Sequence, residues 1–207
     1  MALIFMKVAP YGRGNGKRKV GLKYYADLAA QRISPHLLPD SEEYILKHVR
    51  RNNLKNVKLI LSSPQKRALQ TARIMRRQFL NSARVKASAN LNEVPFSLDG
   101  LNPRTYSSTI VRAKFFDDFA NNRLLELHGH IKIRIKRILK DAGNKDILLV
   151  THTFLMKILE TLIKSPDLFK HPQKVNKGIN LNERLFEYCE ILELTNKEIK
   201  QTLNKML

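Results

Sequence analysis

Arg67 is the residue whose neighbours point most clearly to chemistry. It sits inside Leu59-Ile60-Leu61-Ser62-Ser63-Pro64-Gln65-Lys66-Arg67-Ala68-Leu69-Gln70-Thr71-Ala72. The stretch reads as a buried strand, a serine turn and a helix opened by Pro64. A first-turn proline removes only an N–H that would be unpaired anyway, and Ser62 or Ser63 is the expected cap. Arg67 then falls at the end of the first helical turn. Its guanidinium can reach back to the free N–H groups and the positive dipole end, which together favour an anion. Thr71, four residues on, shares its face and can orient it. The same residues also describe an ordinary strand–helix corner with a surface arginine, and taken alone they leave both readings open. His152 stands at a similar junction, after the apolar run Ile147–Thr151 and before a helix expected over Phe154–Lys164. Protonated, it can hydrogen-bond an anion; it can equally cap the corner.

The elements that must position these residues follow from hydrophobic pattern. Ala2–Met6 is a continuous apolar run, as expected of a central parallel strand buried on both faces. Its end points toward the crevice where open α/β sheets place their ligands, so Lys7 can bring a point charge there. Tyr11–Lys19 is rich in glycine and basic residues. It is not a P-loop, which would need glycine where Tyr11 stands and serine or threonine where Arg18 stands; a solvated loop is expected. Leu22–Arg32 reads as a short helix or ordered loop. Asp40 or Ser41 caps a helix running through Tyr44–Arg51. Val57–Leu61 and Val85–Ala87 read as strands, with a helix over Pro64–Phe79 between them. Leu91–Leu101 carries Glu93, which its own surroundings describe only as a surface glutamate. Pro103–Leu127 is polar with Phe115, Phe116 and Phe119, expected in the core. Ile131–Ala142 fits a basic amphipathic helix with Ile131, Ile135, Ile138 and Leu139 inward, although its isoleucines also alternate as in a strand. Phe186–Thr195 is the expected last strand and Lys197–Leu207 a short polar end. The alternation predicts an α/β three-layer sandwich with a largely parallel central sheet, organised as one domain over 1–207.

Composition limits the partners. The chain has 207 residues and a formal net charge of +20. Between Tyr44 and Asn92 there is no Asp or Glu, against twelve Lys or Arg. Such a field attracts polyanions, so salt-sensitive, non-specific nucleic-acid or polyanion binding is expected, without any nucleic-acid-binding motif to specify it. One cysteine, Cys189, excludes a disulfide framework or thiolate cluster and fits a reducing, cytoplasmic setting. His128-Gly129-His130 has no third ligand nearby and is read as structural, so no metal is expected. No run approaches a membrane span.

Ser62-Ser63-Pro64-x-x-Arg67-Ala68-x-x-Thr71-Ala72 resembles the motif of the histidine phosphatase superfamily, the phosphoglycerate-mutase-like group. Three further pieces follow in that family's order: the strand Ala2–Val8, where the family has Arg-His-Gly; Leu91-Asn92-Glu93 with Asp99-Gly100, similar to its acidic loop; and Ile147–Thr151 ending in His152. The resemblance covers the chain from the first strand to about residue 165. It implies a phosphate site made by Lys7, Arg67 and His152, with Glu93 in the position that protonates the leaving group and His152 catalytic beside it. It also implies a variable helical insertion near 103–127, a phosphorylated small molecule or phosphoprotein as ligand, and no cofactor. The chain departs from the family at the centre of the chemistry. Lys7-Val8-Ala9 replaces Arg-His-Gly, and no histidine precedes His36. Valine has no lone pair with which to attack phosphorus. The expected function is therefore phosphate or phosphoester binding with impaired catalysis. The alternatives are a phosphomonoesterase that uses His152 or water, and a non-enzymatic polyanion- or partner-binding protein acting through its basic surface.

Overall fold

The computed structural model describes residues 2–8, 22–49, 54, 56–102, 108–142, 146–173 and 186–206. The loop expected over Tyr11–Lys19 lies outside them. The chain runs β1 (Ala2–Lys7), α1 (Leu22–Ala29), α2 (Ser41–His48), β2 (Leu59–Ser62), α3 (Lys66–Phe79) and β3 (Arg84–Ala87). It continues through α4 (Ser108–Ala120), α5 (His128–Ala142), β4 (Ile147–Thr151), α6 (Thr153–Lys164), β5 (Ile191–Thr195) and α7 (Asn196–Lys205). The five strands form one sheet in the order β3-β2-β4-β1-β5. Its first four strands are parallel and β5 is antiparallel to β1. This is the mixed α/β sandwich that the alternating pattern predicts.

Side chains on a strand alternate between faces, and the core divides accordingly. Leu3, Phe5, Ile147 and Leu149 point to one side, against Phe115, Phe116, Ile131, Ile135 and Leu159. Ile4, Met6, Val8, Ile60, Leu148 and Val150 point to the other, against Ile45, Ala68, Ala72 and Met75. β4 is buried along its whole length, because it is inserted between β2 and β1 after the chain has already built β3. That crossover puts the C-terminal ends of β1, β2 and β4 side by side, with Lys7 opposite Thr151 and Ser62 opposite Val150. A crevice at such a reversal is where open parallel sheets bind ligands.

Several local expectations change. α3 begins at Lys66 rather than Pro64, and its cap position is Gln65, whose side chain makes no capping bond. Pro64 and Gln65 instead shape a bend, in which Gln65 N–H donates to Ser63 Oγ (3.3 Å) and Lys66 N–H to Ser34 Oγ (2.8 Å). The cap thus comes from a distant loop. Arg67 lies in the second helical position, not at the end of the first turn. Thr71 Oγ1 donates to the Arg67 carbonyl (2.8 Å), not toward its guanidinium. The last strand is shorter than Phe186–Thr195 because Cys189 adopts φ 60° and turns the chain. The polar end folds as α7, started by a reciprocal Thr195–Glu198 capping box. α5 settles as a helix and reaches back to His128, so both histidines belong to its first turn. His128 packs on the Phe119 ring, with centroids 4.5 Å apart. Phe115, Phe116 and Phe119 on α4 lie in the core. Among the described residues, no cluster of three or more His, Cys, Asp or Glu is arranged to hold a metal, and no helix is long and apolar enough to cross a membrane.

Candidate functional site at the C-terminal edge of the sheet

Strand geometry delivers the first residues. Val8 follows β1; its N–H donates to the Thr151 carbonyl (3.0 Å) and its side chain is 1% exposed among apolar neighbours. Lys7, one residue earlier, faces the opposite side of the sheet. Its ammonium donates to the Phe186 carbonyl (2.6 Å) and lies 4.6 Å from the centroid of the Tyr188 ring. The same ammonium is close enough to His152 to disfavour its protonation.

α3 then carries Arg67 inward. The residue is only 3% exposed, and His152, at the end of β4, only 2%. Arg67 Nη2 lies 3.2 Å from His152 Nδ1. A guanidinium can only donate, so Nδ1 is the acceptor and the imidazole proton resides on Nε2. Nε2 is buried and has no hydrogen-bond partner among the described residues. The His152 pKa is held well below the usual imidazole range, first by burial and then by the charges of Arg67, Arg134 and Lys7. The imidazole is thus neutral at pH 7, not the protonated donor that the sequence suggests. It retains one N–H, on the buried Nε2. The alternative reading, that His152 caps α6, fails: it occupies the cap position but makes no side-chain capping bond.

Glu93 does that capping. Its Oε1 accepts from Leu155 N–H (2.9 Å) and Val94 N–H (3.1 Å), and its Oε2 from Phe154 N–H (3.2 Å). Two of these donors belong to the first turn of α6, where a carboxylate is favoured by the free N–H groups and the dipole. Burial still outweighs them: the carboxyl pKa is raised, with desolvation the largest cause, opposed by the three amides and then by Arg67. A surface glutamate, which its local sequence describes, is therefore not what the fold makes of it. Burial supplies the raised pKa that a general acid needs.

The loop carrying Glu93 is fixed by residues that the sequence did not single out. Arg134 on α5 donates to the Asn92 carbonyl (2.7 Å) while its other arm pairs with Glu126 (2.7 Å). Ser63 Oγ donates to Asn92 Oδ1 (2.8 Å), and Thr151 Oγ1 to the Leu91 carbonyl (2.7 Å). Gln31, at φ 60°, donates to the Glu93 carbonyl (2.6 Å) and accepts from Gln65 Nε2 (3.0 Å). The one available signal for Arg134 was its place beside Ile135, at the margin of the inward stripe. Nothing marked Gln31. Together the site offers a buried guanidinium, a neutral imidazole N–H and a capped carboxyl around one edge of the sheet. The first two are donors that suit an oxyanion, whereas the Val8 side chain offers no nucleophile.

Comparison with known proteins agrees with this architecture. The family model described as histidine phosphatase superfamily (branch 1) matches residues 28–197. A mycobacterial glucosyl-3-phosphoglycerate phosphatase in complex with inorganic phosphate superposes with a TM-score of 0.60 at 15% identity, covering 94% of this chain and 89% of its own. A histidine-to-alanine mutant of phosphoserine phosphatase from Entamoeba histolytica, in complex with phosphoserine, gives 0.56 at 17% identity over 93% and 89%. YhfR of Bacillus stearothermophilus gives 0.55 at 16% identity over 94% and 92%. At such identities the likeness concerns the fold. Among curated proteins, none matches the chain by sequence. With the family model spanning most of its length and the sheet and helices arranged as in these phosphatases, the chain belongs to the histidine phosphatase superfamily.

Proposed function

We propose that this protein binds phosphate or a phosphate monoester at the Arg67–His152 pair and lacks the covalent phosphohistidine route of its family. One observation carries the proposal. At the end of β1, where the family places its nucleophile, Val8 is apolar and buried, yet Arg67 and His152 remain paired beside it. Arg67 supplies the cation and the Nε2–H of His152 a neutral donor. Lys7 adds positive potential from the far side of the strand, and Glu93 keeps the general-acid position. A phosphorylated small molecule or a phosphoprotein would satisfy these groups. The phosphoserine-bound histidine-to-alanine relative supports the reading, since it shows a protein of this fold holding a phosphomonoester after loss of a histidine.

A second reading, an active phosphomonoesterase using His152 or water, draws on the neutrality of His152 at pH 7. It is weakened by the tautomer. The Nδ1 lone pair faces Arg67 and Nε2 bears the proton, so neither nitrogen is free to attack or to take a proton from water while the pair stands.

Hydrolysis of an aryl phosphate separates the two. The natural protein is expected to show no turnover and the Lys7→Arg/Val8→His variant measurable turnover. Turnover by the natural protein that His152→Ala abolishes, with the fold intact, would establish the second reading instead.

A further inference from the structure

The side of α5 that faces away from the phosphate site defines a separate surface. Ile131, Ile135, Ile138 and Leu139 turn inward. The outward side carries Lys132, Ile133, Lys136, Arg137 and Lys140. Lys132, Lys136 and Lys140 recur at every fourth position, so they line one side of the helix. They are close enough to act on one another: the ammonium of Lys136 is made more acidic by desolvation and then by Lys132 and Lys140. Among the described residues none of these four cations takes part in an ion pair, whereas Arg134, on the inward margin of the same helix, is paired with Glu126. Asp141 follows Lys140, but three like charges held in a row are still an unfavourable arrangement that an anionic partner relieves.

One apolar side chain adjoins the row, and two more are exposed just before the helix. Ile133 is 47% exposed on the outward side of the helix, and Leu125, just before it, 57%. Leu127, also exposed, holds the first turn of α5 by accepting from His130 and Ile131 N–H (3.0 and 3.1 Å). A row of basic residues with an exposed aliphatic side chain among them, on one helix face, suits the surface of a negatively charged bilayer. Nucleic acid would be served by the lysines alone, but it gains most from aromatic platforms. The large hydrophobic residues exposed among the described residues are all leucine or isoleucine.

We infer that the outward face of α5, with Lys132, Lys136, Arg137 and Lys140 around Ile133, docks the protein on an anionic lipid surface. Ile133 enters the headgroup layer and the cations around it meet the lipid phosphates. The inference does not depend on the phosphate-binding proposal.

Co-sedimentation of the full chain with vesicles tests it. Binding is expected to phosphatidylcholine vesicles containing phosphatidylglycerol, not to phosphatidylcholine alone, and to weaken as salt rises. At about fivefold in affinity per basic residue near such a surface, Lys132→Gln/Lys136→Gln/Lys140→Gln should lower affinity on the order of a hundredfold. Ile133→Ser should lower it severalfold at constant charge. The control Arg73→Gln/Arg76→Gln/Arg84→Gln removes the same charge from exposed positions on α3 and β3, and should lower affinity by less than about threefold. Unchanged melting temperatures in both triple variants keep the comparison valid. Equal losses in the two triple variants would assign the effect to net charge and overturn the inference. So would absence of vesicle binding at low salt, or binding to single-stranded RNA without binding to vesicles.

Discussion

At the scale of single residues, His152 shows how far a fold can change what a residue type promises. Its sequence position suggests a protonated anion binder; burial and three neighbouring cations make it neutral. The consequence for stability has a definite sign. An unfolded imidazole titrates near 6.5, and the folded one well below it. Between those values the unfolded chain takes up a proton that the native state refuses. The contribution of His152 to stability is therefore complete above about pH 6.5 and is lost as pH falls. His128, whose pKa is also lowered by burial, acts in the same direction. Glu93, raised by burial, acts in the opposite one: its contribution is present below its unfolded pKa and declines as pH rises through the folded value. Replacing His152 alone isolates its share. Thermal melts between pH 7.5 and 5.5 should show the natural protein losing more stability than His152→Asn; parallel losses would refute the burial of a neutral imidazole. Of the site residues, Arg67 and His152 were legible because each sits at a strand–helix junction that the sequence advertises. Their pairing was not, since it joins positions 85 residues apart in the chain.

At the scale of elements, α6 and α7 start in contrasting ways. α7 uses its own residues, Thr195 and Glu198, a spacing readable from sequence although composition alone shows only a short polar end there. α6 borrows Glu93 from a loop some sixty residues earlier, which no local pattern could reveal. Removing the two caps should separate these cases. Thr195→Ala should cost about 1 kcal/mol in denaturant unfolding, as N-cap losses do, and leave phosphate binding unchanged. Glu93→Ala should cost more, about 2–3 kcal/mol, because it strands three amide N–H groups within the protein. Glu93→Gln should recover only part, since its amide nitrogen would face an N–H donor. Equal stability of Glu93→Ala and the natural protein would mean that water replaces the carboxylate without loss. The strand and helix runs were legible wherever apolar period and length agreed, as in Ile147–Thr151. Boundaries failed where tertiary contacts set them: Ser34 caps α3 from outside and moves its start past Pro64.

At the scale of the whole molecule, one topological decision creates the site. Inserting β4 between β2 and β1 brings Val8, Ser63 and His152 to one edge. It also buries the apolar runs on both faces of the sheet. The alternation of strands and helices was enough to foresee the sandwich. It could not foresee Arg134 reaching from α5 to hold Asn92, because the loop and helix meet only in the folded state. The basic field that composition announces does not by itself define a phosphate site; the proposed one rests on the buried Arg67–His152 pair. The most direct test is calorimetric titration of the natural protein and of folded Arg67→Gln with inorganic phosphate. Saturable binding by the natural protein that Arg67→Gln abolishes is the predicted result. Absence of binding, or equal binding by the two proteins, would contradict the placement of the phosphate site at Arg67 and His152.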